Sequence, residues 1–349
     1  MFQVITLYLA LRRISCHQRS PPPSVNLEIK TALNDRPETG STICNSNLSL
    51  VVDKYENHSH SDLNIKERID RWIQNSEVLL QCPVLLNGFK TDHVPNLVHR
   101  IWECRQVPTH YFPALNTWID NMEGVLVFLW TAELRARFMQ QHGTKEQVQA
   151  YERIRPGAFK ADFFRYLVLY HFGGVYSDID TFLEMNLSPE KDLDYLYATG
   201  STMAYDLDPT RLLNGAILMA LPRQPIFRCA LGEIADHTER RKTKSEILNP
   251  LDVTGPGVLG ECARHVLGMD ELKFDEDILT VSNSGLRILP SVWLSDGSGH
   301  VVLLENHTII RMMPGGASYP DERTSPACDP GEHYSVLHSK NMLYTDEKR

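Results

Sequence analysis

From Ala158 to Phe172 the apolar residues recur at helical spacing. Phe163, Leu167 and Tyr170, with Phe164, Val168 and His171 beside them, follow i, i+4, i+7 rows, which predicts a helix of about four turns packed into a core. Gly173 and Gly174 then supply the backbone freedom that ends a helix. Val175-Tyr176-Ser177 follows as a short strand. Upstream, Ile65, Ile69, Trp72 and Ile73 mark an amphipathic helical segment within residues 63–90. Strands over 97–102 and 125–130, helices within 132–155, the helix 158–172 and the strand 175–178 alternate β with α. That alternation predicts an α/β fold, a mainly parallel twisted sheet flanked by helices, in one domain over residues 91–349. Segments 214–221, 225–237, 256–267, 286–294 and 300–311 add further strands and helices.

The ends of the pattern are different. Phe2 to Leu11 is an apolar run of about ten residues that stops at Arg12-Arg13, half of what a spanning helix needs. Residues 1–16 are expected to be a short signal or membrane anchor, with a plain disordered terminus as the alternative. Residues 17–62, rich in Pro, Ser, Asn and His, are expected to be a flexible stem.

Chemistry concentrates where the predicted helix meets the strand. Asp162 and Arg165, spaced i, i+3, are neighbours on the helix surface. Asp178 and Asp180, two apart at the carboxyl end of a strand, would project to one side, where open α/β sheets bind their ligands. Two carboxylates there suit a divalent metal held against a diphosphate. An Asp-x-Asp alone proves little, since Asp192/Asp194, Asp206/Asp208 and Asp275/Asp277 repeat it and read as solvated loop or turn acids. Only the first pair follows a buried strand and a helix carrying Asp and Arg.

The run Ala161-Asp162-x-x-Arg165-Tyr166, followed by Gly173-Gly174-Val175-Tyr176-Ser177-Asp178-Ile179-Asp180, resembles the core of the DXD-containing sugar transferases of glycosyltransferase family 32. Val94-Pro95-Asn96-Leu97-Val98-His99-Arg100-Ile101-Trp102 is similar to that family's first strand, usually of the form Ile-Pro-Lys-Ile-Ile-His-Gln-Ile-Trp. Val127 to Thr131, Asn214-Gly215-Ala216-Ile217 and Thr254-Gly255-Pro256 extend the likeness over roughly residues 92–262. The resemblance implies a GT-A type nucleotide-sugar-binding domain and a retaining hexosyl transfer. GDP-mannose is favoured over a UDP-sugar as donor, a glycan is the acceptor, and Mn²⁺ or Mg²⁺ is the cofactor. It implies Asp180 as direct metal ligand, with Asp178 on the ribose or on the metal through water. Asp162 and Arg165 would hold donor hydroxyls and phosphate, Trp102 the base, and Asn214 and Gly215 the donor or acceptor sugar, with Ile101 and Tyr166 also donor-binding. His338 is the nearest match to a late metal-binding His, although the Trp that follows such a His is missing here. Trp102 also reads as a core residue, and Asp162/Arg165 as an intrahelical salt bridge. A type II orientation in the Golgi lumen or membrane, with membrane association through the N-terminus, follows from the same resemblance. No other stretch approaches membrane-spanning length, which weighs against the ceramide-modifying branch of the family.

Composition narrows the alternatives. A hydrophobic content of 42% suits a globular protein, and a net charge of −9 gives no reason to expect a nucleic-acid partner. The cluster Arg240-Arg241-Lys242 reads as a solvated helix face. Seven cysteines show no zinc-like pairing and allow one or two disulfides in an oxidising compartment. Gly255-Pro256-Gly257-Val258-Leu259-Gly260 fits a dinucleotide fingerprint by letter, but no buried strand precedes it, so a helix-opening turn is expected. No Gly-x-Ser-x-Gly is present. A UDP-sugar-dependent galactosyl or glucosyl transferase, an inositol-phosphoceramide mannosyltransferase and a catalytically silent sugar-binding protein on the same fold stay open. Oligomeric state has no signature in the sequence.

Overall fold

The computed structural model describes residues 64–81, 94–95, 97–121, 125–185, 201–206, 213–243, 250–268, 279–281, 286–296, 299–304, 307–313, 334–340 and 342–345. The expected N-terminal anchor, the stem and the Asp192/Asp194 and Asp275/Asp277 pairs lie outside them, whereas Asp206 ends a strand. The helix α1 (Ile65–Gln81) buries Ile69, Trp72 and Ile73, as its spacing requires. It also buries two polar residues for a reason the spacing does not show. Asn75 and Ser76 donate to the carbonyls of Val127 and Leu129, at 2.9 and 3.0 Å, and so satisfy the edge of the strand β2 (Leu126–Trp130).

Among the described residues the sheet has ten strands. Besides β2 they are β1 (Leu97–Ile101), β3 (Gly174–Ser177), β4 (Thr181–Leu183), β5 (Ser201–Asp206), β6 (Leu213–Ala220), β7 (Leu279–Val281), β8 (Leu286–Trp293), β9 (His300–Leu304) and β10 (His307–Met312). Their order is β2-β1-β3-β6-β5-β8-β9-β10-β4, with β7 on β8. The ladders β1–β2, β1–β3 and β5–β8 are parallel and the other described ladders antiparallel, so the α/β sheet is mixed, with its parallel pairing strongest in the first half. Helices α2 (Phe112–Asp120), α3 (Ala132–His142), α4 (Lys145–Arg153), α5 (Gly157–Phe172), α6 (Pro225–Thr243), α7 (Pro250–Val253), α8 (Pro256–Leu267) and α9 (Tyr334–Ser339) accompany it. Cys229 and Cys262 form a disulfide, with Cα atoms 5.7 Å apart, that joins α6 to α8. Helix α8 opens with Pro256 behind Gly255, the turn expected in place of a dinucleotide fingerprint. Arg240 lies exposed on α6 beside Glu233, as a solvated face should.

Two features place the carboxyl ends of β1, β2 and β3 together. Gly173 and Gly174 take φ of +66° and +89°, and a Cβ on either would stand 2.6 Å from the carbonyl of Ala220 or of Leu97. Only glycine turns the chain from α5 into β3 at that distance. Below the turn, buried His99 donates through Nε2 to the Gly173 carbonyl at 3.1 Å, while its Nδ1 accepts from Trp130 Nε1 at 3.3 Å. Beyond β3 the sheet folds back on itself. Residues 178–180 join β3 to β4, the last strand in the order, and the hydroxyls of Ser177 and Thr181 are hydrogen-bonded.

Burial lowers the pKa of His99 to about 3, only partly opposed by its bond to Gly173, and that of His171 to about 4. In the unfolded chain both take up a proton near pH 6.5. Between those values the unfolded state binds more protons, so stability is complete above about pH 6.5 and declines as the pH falls. The melting temperature should therefore be level from pH 7.5 to about 6.5 and drop by pH 5, with a shallower drop in His171→Phe. A melting temperature unchanged between pH 6.5 and 5 would contradict this role.

Candidate active site

The guanidinium of Arg165 stands at the centre of the site. Its Nη2 pairs with Asp162 Oδ1 one turn away at 2.9 Å and reaches Asp178 Oδ1 at 3.4 Å. Nη1 donates to the carbonyl of Gly215 at 2.5 Å, and the guanidinium lies 4.6 Å from the centre of the Tyr176 ring. Helix α5, strand β3 and strand β6 thus meet on one side chain. Burial opposes the charge on Arg165, but Tyr176, Asp178 and Asp162 outweigh it and raise its pKa, so the charge is permanent. Burial pushes Asp162 upward, against Arg165 and the Thr254 hydroxyl, which donates to its Oδ2 at 2.9 Å.

The two strand-end carboxylates are arranged differently from the extended geometry expected of them. β3 stops at Ser177, and Asp178 to Thr181 make a turn closed by the Thr181 amide donating to the Asp178 carbonyl at 3.2 Å. Strand alternation therefore does not orient the pair. Asp178 is fixed by its amide, which donates to Ala216 at 2.8 Å, and by the Tyr176 hydroxyl, which donates to its Oδ1 at 2.5 Å. The Asp180 carbonyl accepts from the Met313 amide at 3.2 Å. Sequence reasoning passed over Arg100 as a site residue. It is 1% exposed in β1, donates through Nη1 to the Asp178 carbonyl at 2.7 Å and lies 5.0 Å from the Trp118 ring. Burial lowers its pKa to about 9, while the charges of Asp180 and Asp178 counter that. The available signal was its place in the first strand, where the resembling family carries Gln.

The other expected residues fall into four groups. Tyr166 is buried beside Arg165, and its hydroxyl donates to the Gly255 carbonyl at 3.4 Å. Ile101 ends β1, and Trp102 follows it half-buried, its Nε1 donating to the Gln106 carbonyl at 2.9 Å and its ring edge-on to Tyr111. Asn214 adjoins Gly215 on β6, and its side chain lies outside the described residues. His338 lies on α9, and no group of three His, Cys, Asp or Glu side chains that could hold a metal forms among the described residues. The structure therefore joins Asp162, Arg165, Asp178 and Gly215 directly and does not bring His338 into a three-ligand cluster with the Asp pair.

A divalent cation would find two half-buried carboxylates, Asp178 and Asp180, with the cationic Arg165 and Arg100 behind them. Hard oxygens from two carboxylates, completed by phosphate and water, fit Mg²⁺ or Mn²⁺. Residues 108–197 match the family described as the glycosyltransferase sugar-binding region containing the DXD motif. Over these residues the chain is similar to the sugar-binding region of the DXD glycosyltransferases. Within that region lie α5 and the turn Asp178 to Thr181. The chain is similar to the mannosyl phosphorylinositol ceramide synthase SUR1 of Saccharomyces cerevisiae, 25% identical over 41% of this chain and 35% of that protein. It is similar also to the inositol phosphoceramide mannosyltransferase 1 of Schizosaccharomyces pombe, 24% identical over 44% of this chain and 46% of that protein. The chain spans less than half the length of these relatives. Among solved structures, the PaToxG glycosyltransferase covers 57% of this chain and 80% of its own at 14% identity, with a TM-score of 0.38, too loose a likeness to carry an argument.

A Cβ on Gly215 would stand 2.7 Å from Arg165 Nη1. Gly215→Ala should displace the guanidinium from Asp178, lower the melting temperature, and lower kcat/KM for a nucleotide sugar at least about tenfold at temperatures where the variant is folded. Steady-state kinetics beside thermal unfolding checks this, and an unchanged kcat/KM would remove Arg165 from the donor site.

Proposed function

We propose that this protein is a metal-dependent retaining hexosyltransferase of GT-A type that moves mannose from GDP-mannose onto a glycan. The observation that carries the proposal is the Asp162–Arg165–Asp178 cluster beside the Asp178 to Thr181 turn, inside the DXD sugar-binding region. Asp180 and Asp178 would hold the Mn²⁺ or Mg²⁺, which when bound neutralises charge on the leaving diphosphate. Arg165 presents a permanent positive charge to phosphate or sugar oxygens, and Asp162, anchored by Thr254, accepts from donor hydroxyls. Trp102, one residue past β1 at the same end of the sheet, offers a face for the nucleotide base. By the family resemblance Ile101 would also contact the donor, and Asn214 and Gly215 the donor or acceptor sugar. The retained stereochemistry and the role of His338 as a further ligand rest on the family resemblance alone.

Both relatives reported above are named for mannosyl transfer or synthesis, which supports mannose over galactose or glucose. Their names also support a second reading, in which the acceptor is the inositol ring of inositol phosphoceramide. That branch regains weight it lacked on the absence of further membrane-length stretches. No described helix is long and apolar enough to cross a membrane, and membrane attachment through the N-terminal run is part of the proposal. The Cys229–Cys262 disulfide supports an oxidising compartment such as the Golgi lumen.

The test is a screen of nucleotide sugars for hydrolysis with and without Mn²⁺. GDP-mannose should give a Mn²⁺-dependent release of GDP, and Asp180→Asn should reduce it at least about a hundredfold, as loss of a dominant electrostatic contact does. If Asp180→Asn keeps activity and metal response, or if no nucleotide sugar turns over, the proposal is wrong.

A further inference from the structure

Strand register carries the site further than the carboxylates. Thr181, next to Asp180, pairs with Met312 on β10, Met312 pairs with His300 on β9, and His300 pairs with Trp293 on β8. These four residues form one row across four strands. At about 4.8 Å per strand, Trp293 stands about 14 Å from Thr181 along the sheet, and closer in space where the sheet curves. The row lies at the end of the sheet that carries Asp178, because β3, β5 and β8 run in the same direction.

Trp293 is built as a platform. Its ring stacks on that of His300, with centroids 4.7 Å apart and planes 7° from parallel. His300 is 5% exposed and fixed in the sheet, whereas Trp293 is 51% exposed, the most of the large apolar residues among those described. Holding a large ring rigid on a buried neighbour while leaving half of it in water preorganises a contact surface. A tryptophan so placed is the kind of residue that anchors binding.

The geometry points to Trp293, seated on His300, as a subsite for the acceptor, where a saturated polyhydroxylated six-membered ring lays its C–H face on the indole. The inference rests on the proposed transferase function, which supplies the reason for an acceptor at this distance. A pyranose and an inositol ring share the chemistry: apolar C–H bonds on one face and hydroxyls around the rim. An acceptor of more than one ring would span from the platform toward the donor at the Asp178 turn. No covalent step is assigned to Trp293.

The chain has five tryptophans, Trp72, Trp102, Trp118, Trp130 and Trp293, so labelling the full chain with 5-fluorotryptophan gives a resolvable ¹⁹F spectrum. Trp293→Phe assigns its resonance and Trp102→Phe that of Trp102. Titration with methyl α-mannoside or α-mannobiose tests the saccharide source, and titration with glycerophosphoinositol the inositol source. A saturable shift of the Trp293 resonance with either supports the subsite and identifies its source. No shift with any of the three polyols overturns it, as does a response to phosphatidylcholine vesicles alone, which would make Trp293 a membrane contact. GDP with Mn²⁺ in a separate arm should move the Trp102 resonance. Failure there, with the Trp293 response intact, would count against the donor site and leave the platform standing.

Discussion

Everything in the candidate site depends on one buried guanidinium. Arg165 connects its own helix, through Asp162, to the Asp178 turn, to the Gly215 carbonyl and to the face of Tyr176. Asp162 is its neighbour on the same helix, whereas the Tyr176–Asp178 stretch and Gly215 are brought to it by the fold. A buried charge with several partners is costly to disrupt, since removing it leaves two carboxylates facing each other, at about 3–5 kcal/mol for a buried pair. The same arrangement sets the electrostatics. Asp162 and Asp178 can stand close because a permanent cation lies between them, and a diphosphate arriving at Asp178 meets positive charge from Arg165.

Arg100 performs the complementary task from below. Its bond to the Asp178 carbonyl, with those from Thr181, fixes the turn that presents Asp178 and Asp180. Backbone and side chain of one aspartate are therefore gripped by two different arginines. The sheet around them returns to the same place: β4 leaves the turn, and β10 brings Met313 back to the Asp180 carbonyl. The row of paired residues that starts at Thr181, beside the turn, ends at the exposed Trp293.

Much of this was legible in the sequence. The apolar rows of α5, the Gly-Gly exit and the position of the acids beyond β3 all read correctly, because each is a local pattern with a local cause. Strand alternation failed for Asp178 and Asp180, because the strand ends one residue earlier and the turn is imposed by Arg100 and Thr181 from elsewhere. β4 was missed for a similar reason. Three residues carry no period, and their partner β10 lies more than a hundred positions away. Helix α2 was also passed over, although Ala114, Leu115 and Trp118 give it a buried face and Trp118 donates to the Thr181 carbonyl. Arg100 looked like one more residue of an apolar strand, and only the tertiary structure shows what its charge faces.

The most direct measurement of the central claim is calorimetric titration of GDP into the protein with and without Mn²⁺, for the native chain and for Arg165→Met. The account predicts GDP binding that tightens strongly with Mn²⁺ in the native chain and is weakened under both conditions in Arg165→Met. GDP binding of equal strength with and without the metal, or unaffected by loss of Arg165, would contradict it.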